Sequence, residues 1–432
     1  MKIVRMAAVG AAAALALTAC SSGGSGGGES TSSGDGATVK VWLVGSDTPD
    51  EAREYLETTF EEQNPGSDLV IEEQQWDGLV DKLSQAMTDP KTSPQIVEVG
   101  NTQSTTFTSA GAFMPLDDKY EELGGDDLLS GFVEIGTYDD TLYAVPYYAG
   151  SRLVFYSKSA YEAAGVDVPT TLDQYIEDGK TLKAANADTP NYSGIWYPGQ
   201  DWRNGLPFIW SEGGELAVEE DGQWVGAINT PEAVAGLEKV QDIMLNANGA
   251  APDAKETDPQ IPWCAGETAT LSAPGWVYGS LLNEENGGCP DTEGDIGVYA
   301  LPGDSEGETA PVFLGGSNIA IPAQAANQDL AYKAMQIMLS DEYQTILAHN
   351  GLTPAKVSLA SEMLNSESTP PAVAEAAAKA AENVKLTPVA PGWSNVESDL
   401  IMETLFTEIA QGKDVQAAAD AANDKITDAL NR

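Results

Sequence analysis

The chain has 432 residues, 67 of them acidic and 21 basic, for a formal net charge of -46. So large an acidic excess makes nucleic acid and anionic lipid surfaces poor partners and leaves a solvated acidic surface as the plain reading. A chain of this length exceeds what one core usually holds, so two domains are expected.

Lys2 and Arg5 accompany an apolar run over residues 6–19 that is too short for a permanent membrane span, the pattern of a secretory signal peptide over residues 1–19. Leu17-Thr18-Ala19-Cys20 resembles a bacterial lipobox, which implies cleavage before Cys20 and a diacylglycerol on its sulfur. A plain secretory signal with a chance cysteine is the alternative. The glycine and serine tract that follows has nothing apolar to bury, so residues 20–37 read as a lipidated cysteine and a flexible tether. Sixteen such residues reach about 20–24 Å. The folded part is expected at the extracellular face of the bacterial cell membrane, touching it through the anchor alone. No second apolar segment has spanning length.

Residues 38–44 (TVKVWLV) form a β-branched run that predicts a buried strand. A helix follows, capped by Thr48 with Pro49 at its first position and stopped by Asn64-Pro65-Gly66. Residues 69–74 predict the next strand, 79–87 the next helix, and 96–99 a third strand ending at Gly100-Asn101-Thr102-Gln103. Strand, helix, strand in this order builds a parallel sheet whose ligands bind beyond the strand C-terminal ends. Residues 142–156 (LYAVPYYAGSRLVFY) carry a proline and small residues in the middle and read as two strands joined by a bend. Further along, helices are expected over 172–185 and 231–245, a strand over 313–321, and helices over 329–339, 373–384, 395–411 and 415–430. Cys264 and Cys289, an even pair in an exported chain, point to a disulfide, with two buried thiols as the alternative. The single histidine, His349, has no cysteine near it in sequence.

Four passages resemble the family 1 extracellular solute-binding proteins, the maltose-binding type that serves ABC sugar importers. They are the lipobox with its tether, YAVPYYAGSRLVFYSK at 143–158, WCAGETATLSAPGWVYGSLL at 263–282, and the stretch 313–354 from GGSNIAI to HNGLTPA. Ser157 departs from the family signature, which has Asn or Asp after the tyrosine. The resemblance implies an α/β fold of the periplasmic-binding-protein type II, with two discontinuous α/β lobes and a ligand cleft between them. The first lobe would take residues 38–147 and 300–352, the second 148–299 and 353–432. It further implies an oligosaccharide ligand, ABC permease subunits as partners, no catalysis, and neither cofactor nor metal; a monomer is expected.

A sugar offers C–H faces to aromatic rings and hydroxyls to donors and acceptors in fixed places. Trp276 follows Ala273-Pro274-Gly275 and Trp393 follows Ala390-Pro391-Gly392, and the resemblance places a stacking aromatic at both. Trp202 sits with Asp201 and Arg203 in the polar loop GQDWRN, and Trp76 follows a strand beside Asp77. Asp47, Asp77, Asn101, Gln103 and Asp201 fall at strand ends or in cleft-side loops. Gly316 and Ser317 would let backbone amides approach a ligand, with a plain bulge as the alternative. Tyr147 and Tyr148 are read as ligand contacts or as hinge packing. Arg152 and Arg203 either meet the ligand or pair with neighbouring carboxylates, and so few cations favour a neutral ligand.

Other literal motifs fail on context. GGSGG at 23–27 lacks the strand and helix of a nucleophile elbow, and Gly179-Lys180-Thr181 has Gln174 where a phosphate-binding loop needs its first glycine. DTEGD at 291–295 lacks calcium-loop spacing, and one histidine with one cysteine pair supplies no zinc set. With 67 acidic residues some pair will stand at glycosidase spacing, so a tethered glycoside hydrolase is the alternative from another class. A binder of a non-sugar solute, such as a peptide, polyamine or metal, is the third reading.

Overall fold

The computed structural model describes residues 36–45, 47–76, 78–366 and 369–432. The expected signal peptide, Cys20, nearly all of the tether and Asp77 lie outside these residues. Gly36 and Ala37 already belong to the fold, since Gly36 N–H donates to the Gly66 carbonyl at 2.8 Å and Asp68 N–H donates to the Ala37 carbonyl at 3.1 Å. The folded part therefore begins before the expected residue 38.

Strands β1 (Thr38–Val44), β2 (Asp68–Gln74) and β3 (Ile96–Gly100) run parallel with β1 in the middle. Helices α1 (Asp50–Gln63) and α2 (Leu79–Ala86) make the crossovers. α1 buries Ala52, Leu56 and Phe60, a stripe at i, i+4, i+8. Thr48 does not cap it: Pro49 takes the N-cap position, and the Thr48 hydroxyl bonds the Tyr147 hydroxyl at 2.9 Å instead. β3 runs straight into α3 (Asn101–Ser109), a helix of Thr and Ser whose weak propensity hid it in the sequence. Burial of Asn101, Ser104, Thr105, Phe107 and Thr108 holds it in place.

β4 (Ala144–Ser157) is one 14-residue strand, which corrects the expected pair with a bend. The strand changes partners where a bend was anticipated. Residues 144–151 pair with β7 (Val312–Ala320), while 152–156 pair with β5 (Thr270–Pro274) and 154–157 with β6 (Ile296–Tyr299), all antiparallel. The register against β7 shifts between Ser317 and Asn318, which face Tyr148 and Pro146, so the missing N–H of Pro146 falls at an irregularity. β7 also pairs with β3 through residues 317–320.

Two lobes result, with β4 and β7 passing between them. One core holds Leu43, Leu56, Val145, Ile319, Met335 and Leu347; the other holds Leu153, Trp210, Leu237, Leu271, Phe406 and Ile426. Leu301, Ala310, Val312 and Phe313 pack in the second core, so the return crossing falls after Phe313 and not at residue 300. The single helix expected over 395–411 is two, α4 (Trp393–Ser398) and α5 (Ile401–Ala410), broken at Leu400 with φ 51°. α6 (Val415–Leu430) closes the chain. Cys264 and Cys289 are joined as a disulfide, their Cα atoms 5.6 Å apart. Among the described residues no helix is long and apolar enough to cross a membrane.

Candidate functional site

Gly45 and Trp76 stand just past the ends of β1 and β2, and Gly100 is the last residue of β3. A Cβ on Gly45, at φ +63°, would come within 3.2 Å of the Trp76 Nε1, and one on Gly100 within 3.2 Å of the ring. Two glycines thus let one indole lie across two strand ends, and that indole stays 39% exposed. Asp47 joins it: its Oδ2 accepts from the Tyr148 hydroxyl at 3.3 Å, and its carboxylate lies beside the Trp76 Nε1 next to Gly45. Burial raises the Asp47 carboxyl above the usual carboxylate range. Gln103 lies against Gly100 with its Oε1 buried and without a hydrogen-bond partner among the described residues. Asn101 turns inward, its Nδ2 donating to the Leu314 carbonyl at 2.7 Å, so it ties α3 to the crossing strand β7.

Glu98 lies beneath Asp47, wholly buried in β3. Its Oε2 accepts the Val44 N–H at 2.7 Å and its Oε1 accepts from the Tyr148 hydroxyl at 2.9 Å. Burial pushes its carboxyl up to about 7. Sequence reasoning missed this residue, although an acid inside the buried strand IVEVG was the available signal. Tyr148 is committed to this network, and Ser317 is buried beside it. Tyr147 points into the first core, its hydroxyl between Thr48 at 2.9 Å and Tyr343 at 2.6 Å, and so packs the hinge. At Gly316, φ +140°, a Cβ would stand 2.3 Å from the Tyr148 carbonyl, so this glycine serves the close approach of the two crossing strands.

Trp202 is a correction: it is fully buried, its Nε1 donates to Glu403 Oε1 at 3.0 Å and its ring packs on Phe313. Trp393 is 1% exposed and meets Trp202 edge-on at 6.3 Å, so neither ring presents a free face in this conformation. The Arg203 guanidinium lies 4.4 Å from the centre of the Trp202 ring and pairs with Glu397 at 3.4 Å. Glu397 is also reached from the opposite lobe, where Thr102 Oγ1 donates to its Oε2 at 2.9 Å. One helical turn later, Thr106 Oγ1 meets Ser394 Oγ at 2.8 Å and the Pro391 carbonyl at 3.0 Å. α3 of the first lobe therefore rests on α4 of the second. The roles of Thr102 and Thr106 were missed with the helix α3 that aligns them, and that of Glu397 because its partners lie far away in sequence.

Arg152 is 4% exposed and bonds Asp201, Asn204, Glu256 and the Ser272 carbonyl. Burial opposes its charge, but Asp201 and Glu256 outweigh burial and hold its guanidinium above the usual value. Asp201 accepts the Asn204 N–H at 3.3 Å, capping the turn Trp202–Asn204, so Arg152 and Asp201 are spent on each other. Trp276 differs from the other second-lobe aromatics. It follows β5 and is 46% exposed.

Trp76, Asp47 and Gln103 thus gather at the strand ends of one lobe, Arg203 joins the α3–α4 contact from the other, and Trp276 stands exposed after β5. Such a set offers ring faces to C–H surfaces and charged or amide groups to hydroxyls.

Known proteins show the same architecture. Residues 45–345 match the family model of the bacterial extracellular solute-binding proteins. The diacetylchitobiose binding protein DasA of Streptomyces coelicolor is 31% identical over 392 residues, 90% of this chain and 88% of its own. An arabinooligosaccharide-binding protein of Halalkalibacterium halodurans is 22% identical over 61% of this chain and 58% of its own. The GacH receptor of Streptomyces glaucescens, solved unliganded and with acarbose, superposes with a TM-score of 0.76 at 20% identity, covering 92% of this chain and 99% of that one. Maltose-bound MalE3 of T. maritima gives a TM-score of 0.74 at 20% identity, over 90% and 99%. With the match running through both lobes and both crossing strands, the chain belongs to the bacterial extracellular solute-binding protein family.

Proposed function

We propose that the protein captures an oligosaccharide between its lobes and delivers it to the permease of an ABC transporter. The placement of Trp76 and Trp276, one exposed indole per lobe, carries this reading. Both are tied to β4: Trp76 through Asp47 to Tyr148, and Trp276 through Pro274, which pairs with Arg152. Tyr148 and Arg152 are four residues apart on one strand, about 13 Å at roughly 3.3 Å per residue. An exposed indole on each lobe favours a ligand of more than one ring. The indoles stack on sugar faces while Asp47, Asp77, Gln103 and Arg203 bond hydroxyls. The first lobe comprises residues up to about 148 and 314–352, the second the remainder. A signal peptide over residues 1–19 would direct export and be cleaved, and a lipid on Cys20 would hold this monomer at the outer face of the membrane, within reach of the permease.

The names of DasA and of the arabinooligosaccharide-binding relative support a saccharide as the ligand class. Calorimetry of the protein from residue 36 onward against N,N′-diacetylchitobiose, maltose and longer oligomers of each tests it. Saturation by one series at about micromolar Kd, near -8 kcal/mol, is expected. Heats equal to dilution for every sugar would remove the reading.

A further inference from the structure

The hydroxyl of Tyr148 carries one hydrogen and faces two carboxylates, Glu98 Oε1 at 2.9 Å and Asp47 Oδ2 at 3.3 Å. It can donate to only one of them. Glu98 has zero exposure, and no cation pairs with it among the described residues. We infer that Glu98 is a positioning residue kept as a neutral carboxylic acid, which donates to the Tyr148 oxygen so that the Tyr148 hydrogen is free to hold Asp47 as the ionised acceptor at the cleft.

Burial and the nearby Asp47 charge favour this state, against the Val44 and Tyr148 hydrogen bonds, which favour the anion. β1 supplies the Val44 N–H to Oε2, which a carboxyl accepts in either protonation state. β7 supplies the neutral Ser317, and β4 supplies Tyr148 and Tyr147. Tyr343 adds a further neutral phenol from the helix Asp341–His349. The remaining charged neighbour is Asp47, whose negative charge disfavours a second anion. Arg53 in α1 acts on Asp47 and spends its own donors on the Thr48 and Gly45 carbonyls and on Glu73. The one proton missing from the pair is thus needed on the deeper group, and burial raises that group's carboxyl further than that of Asp47. The order Glu98 acid, Tyr148, Asp47 anion satisfies each donor with one acceptor.

This deepens the sugar-binding reading, since Asp47 meets the ligand only under it, and the test needs no sugar. Protein labelled with carbon-13 at the glutamate side-chain carboxyls is titrated from pH 5 to 9, as wild type and as Glu98→Gln. One resonance present in wild type and missing in the variant is expected to move with a midpoint near 7. A Glu98 resonance that keeps its ionised position down to pH 5 overturns the inference. Should Glu98→Gln not fold, Tyr148→Phe makes the assignment, because it shifts the same resonance. Tyr148→Phe in aspartate-labelled protein is also expected to raise the Asp47 midpoint by roughly one pH unit through loss of its donor. An unchanged Asp47 titration there overturns the relay.

Discussion

Thr102 in the first lobe donates its hydroxyl to Glu397 in the second at 2.9 Å, and the same carboxylate pairs with Arg203 at 3.4 Å. One acidic side chain thereby joins the helix after β3 to the loop that carries Trp202. A contact made only with the lobes together adds to the stability of the closed form and to nothing else. Thr102→Val is expected to weaken sugar binding about three- to tenfold by taking a charge-assisted hydrogen bond from that form. Small-angle scattering of the sugar-free variant checks the cause and should show a larger radius of gyration than wild type.

The indoles should separate into two kinds. Trp76→Ala and Trp276→Ala remove exposed rings, so each should cost about tenfold in sugar affinity with little change in melting temperature. Trp202→Ala removes a fully buried ring that bonds Glu403, and should cost about 3–5 kcal/mol of stability. Denaturant melts and calorimetry on the three variants measure both quantities.

Arg152→Met should be strongly destabilising, by about 3–5 kcal/mol, because it leaves Asp201 and Glu256 without their buried counter-charge. Arg152→Met with Asp201→Asn should recover part of the loss. Urea melts of the single and double variants measure the coupling.

The sign of the pH dependence follows from Glu98. Its folded carboxyl titrates near 7 against an ordinary 4.5, so the folded state binds more protons between those values. Stability should therefore fall as pH rises from about 4.5 to about 7, by about 3 kcal/mol, and level off above. Glu98→Gln should remove that share of the decline and leave the share of Asp201, whose carboxyl burial also pushes up to about 7. Chemical melts at half-unit pH steps check it.

Cys264→Ala with Cys289→Ala should lose about 3 kcal/mol through the reopened loop while keeping sugar affinity within about threefold. Thermal melts with and without reductant, beside a binding isotherm, distinguish this from a role in the site.

Local signals sufficed where an element is held by its own residues. The strand Thr38–Val44 and the helices Leu172–Ala185 and Val415–Leu430 match their expected bounds. Thr171 and Asp414 cap those two helices by accepting from Gln174 N–H and Ala417 N–H, as such residues do at helix starts. Residues whose partners are distant in sequence were misread. Thr48 gives its hydroxyl to Tyr147, 99 positions away, and not to a helix start. Pro146 suggested a bend, but the register shift opposite Ser317 and Asn318 absorbs it. The polar neighbours of Trp202 suggested exposure, whereas Asp201 turns inward to Arg152 and Arg203 covers the ring. Strand ends and a Pro-Gly loop marked Asp47, Trp76, Gln103 and Trp276 as candidates in the sequence. Glu98 and Glu397 were not, since what defines each is a contact with another strand or lobe.

Tryptophan fluorescence of the protein from residue 36 onward, titrated with di- to pentasaccharides while each mixture is assayed for new reducing ends, tests sugar capture most directly. Saturable quenching or a blue shift by one sugar series, with no product formed, is the predicted result. Product formation, or no spectral change with any sugar, would contradict it.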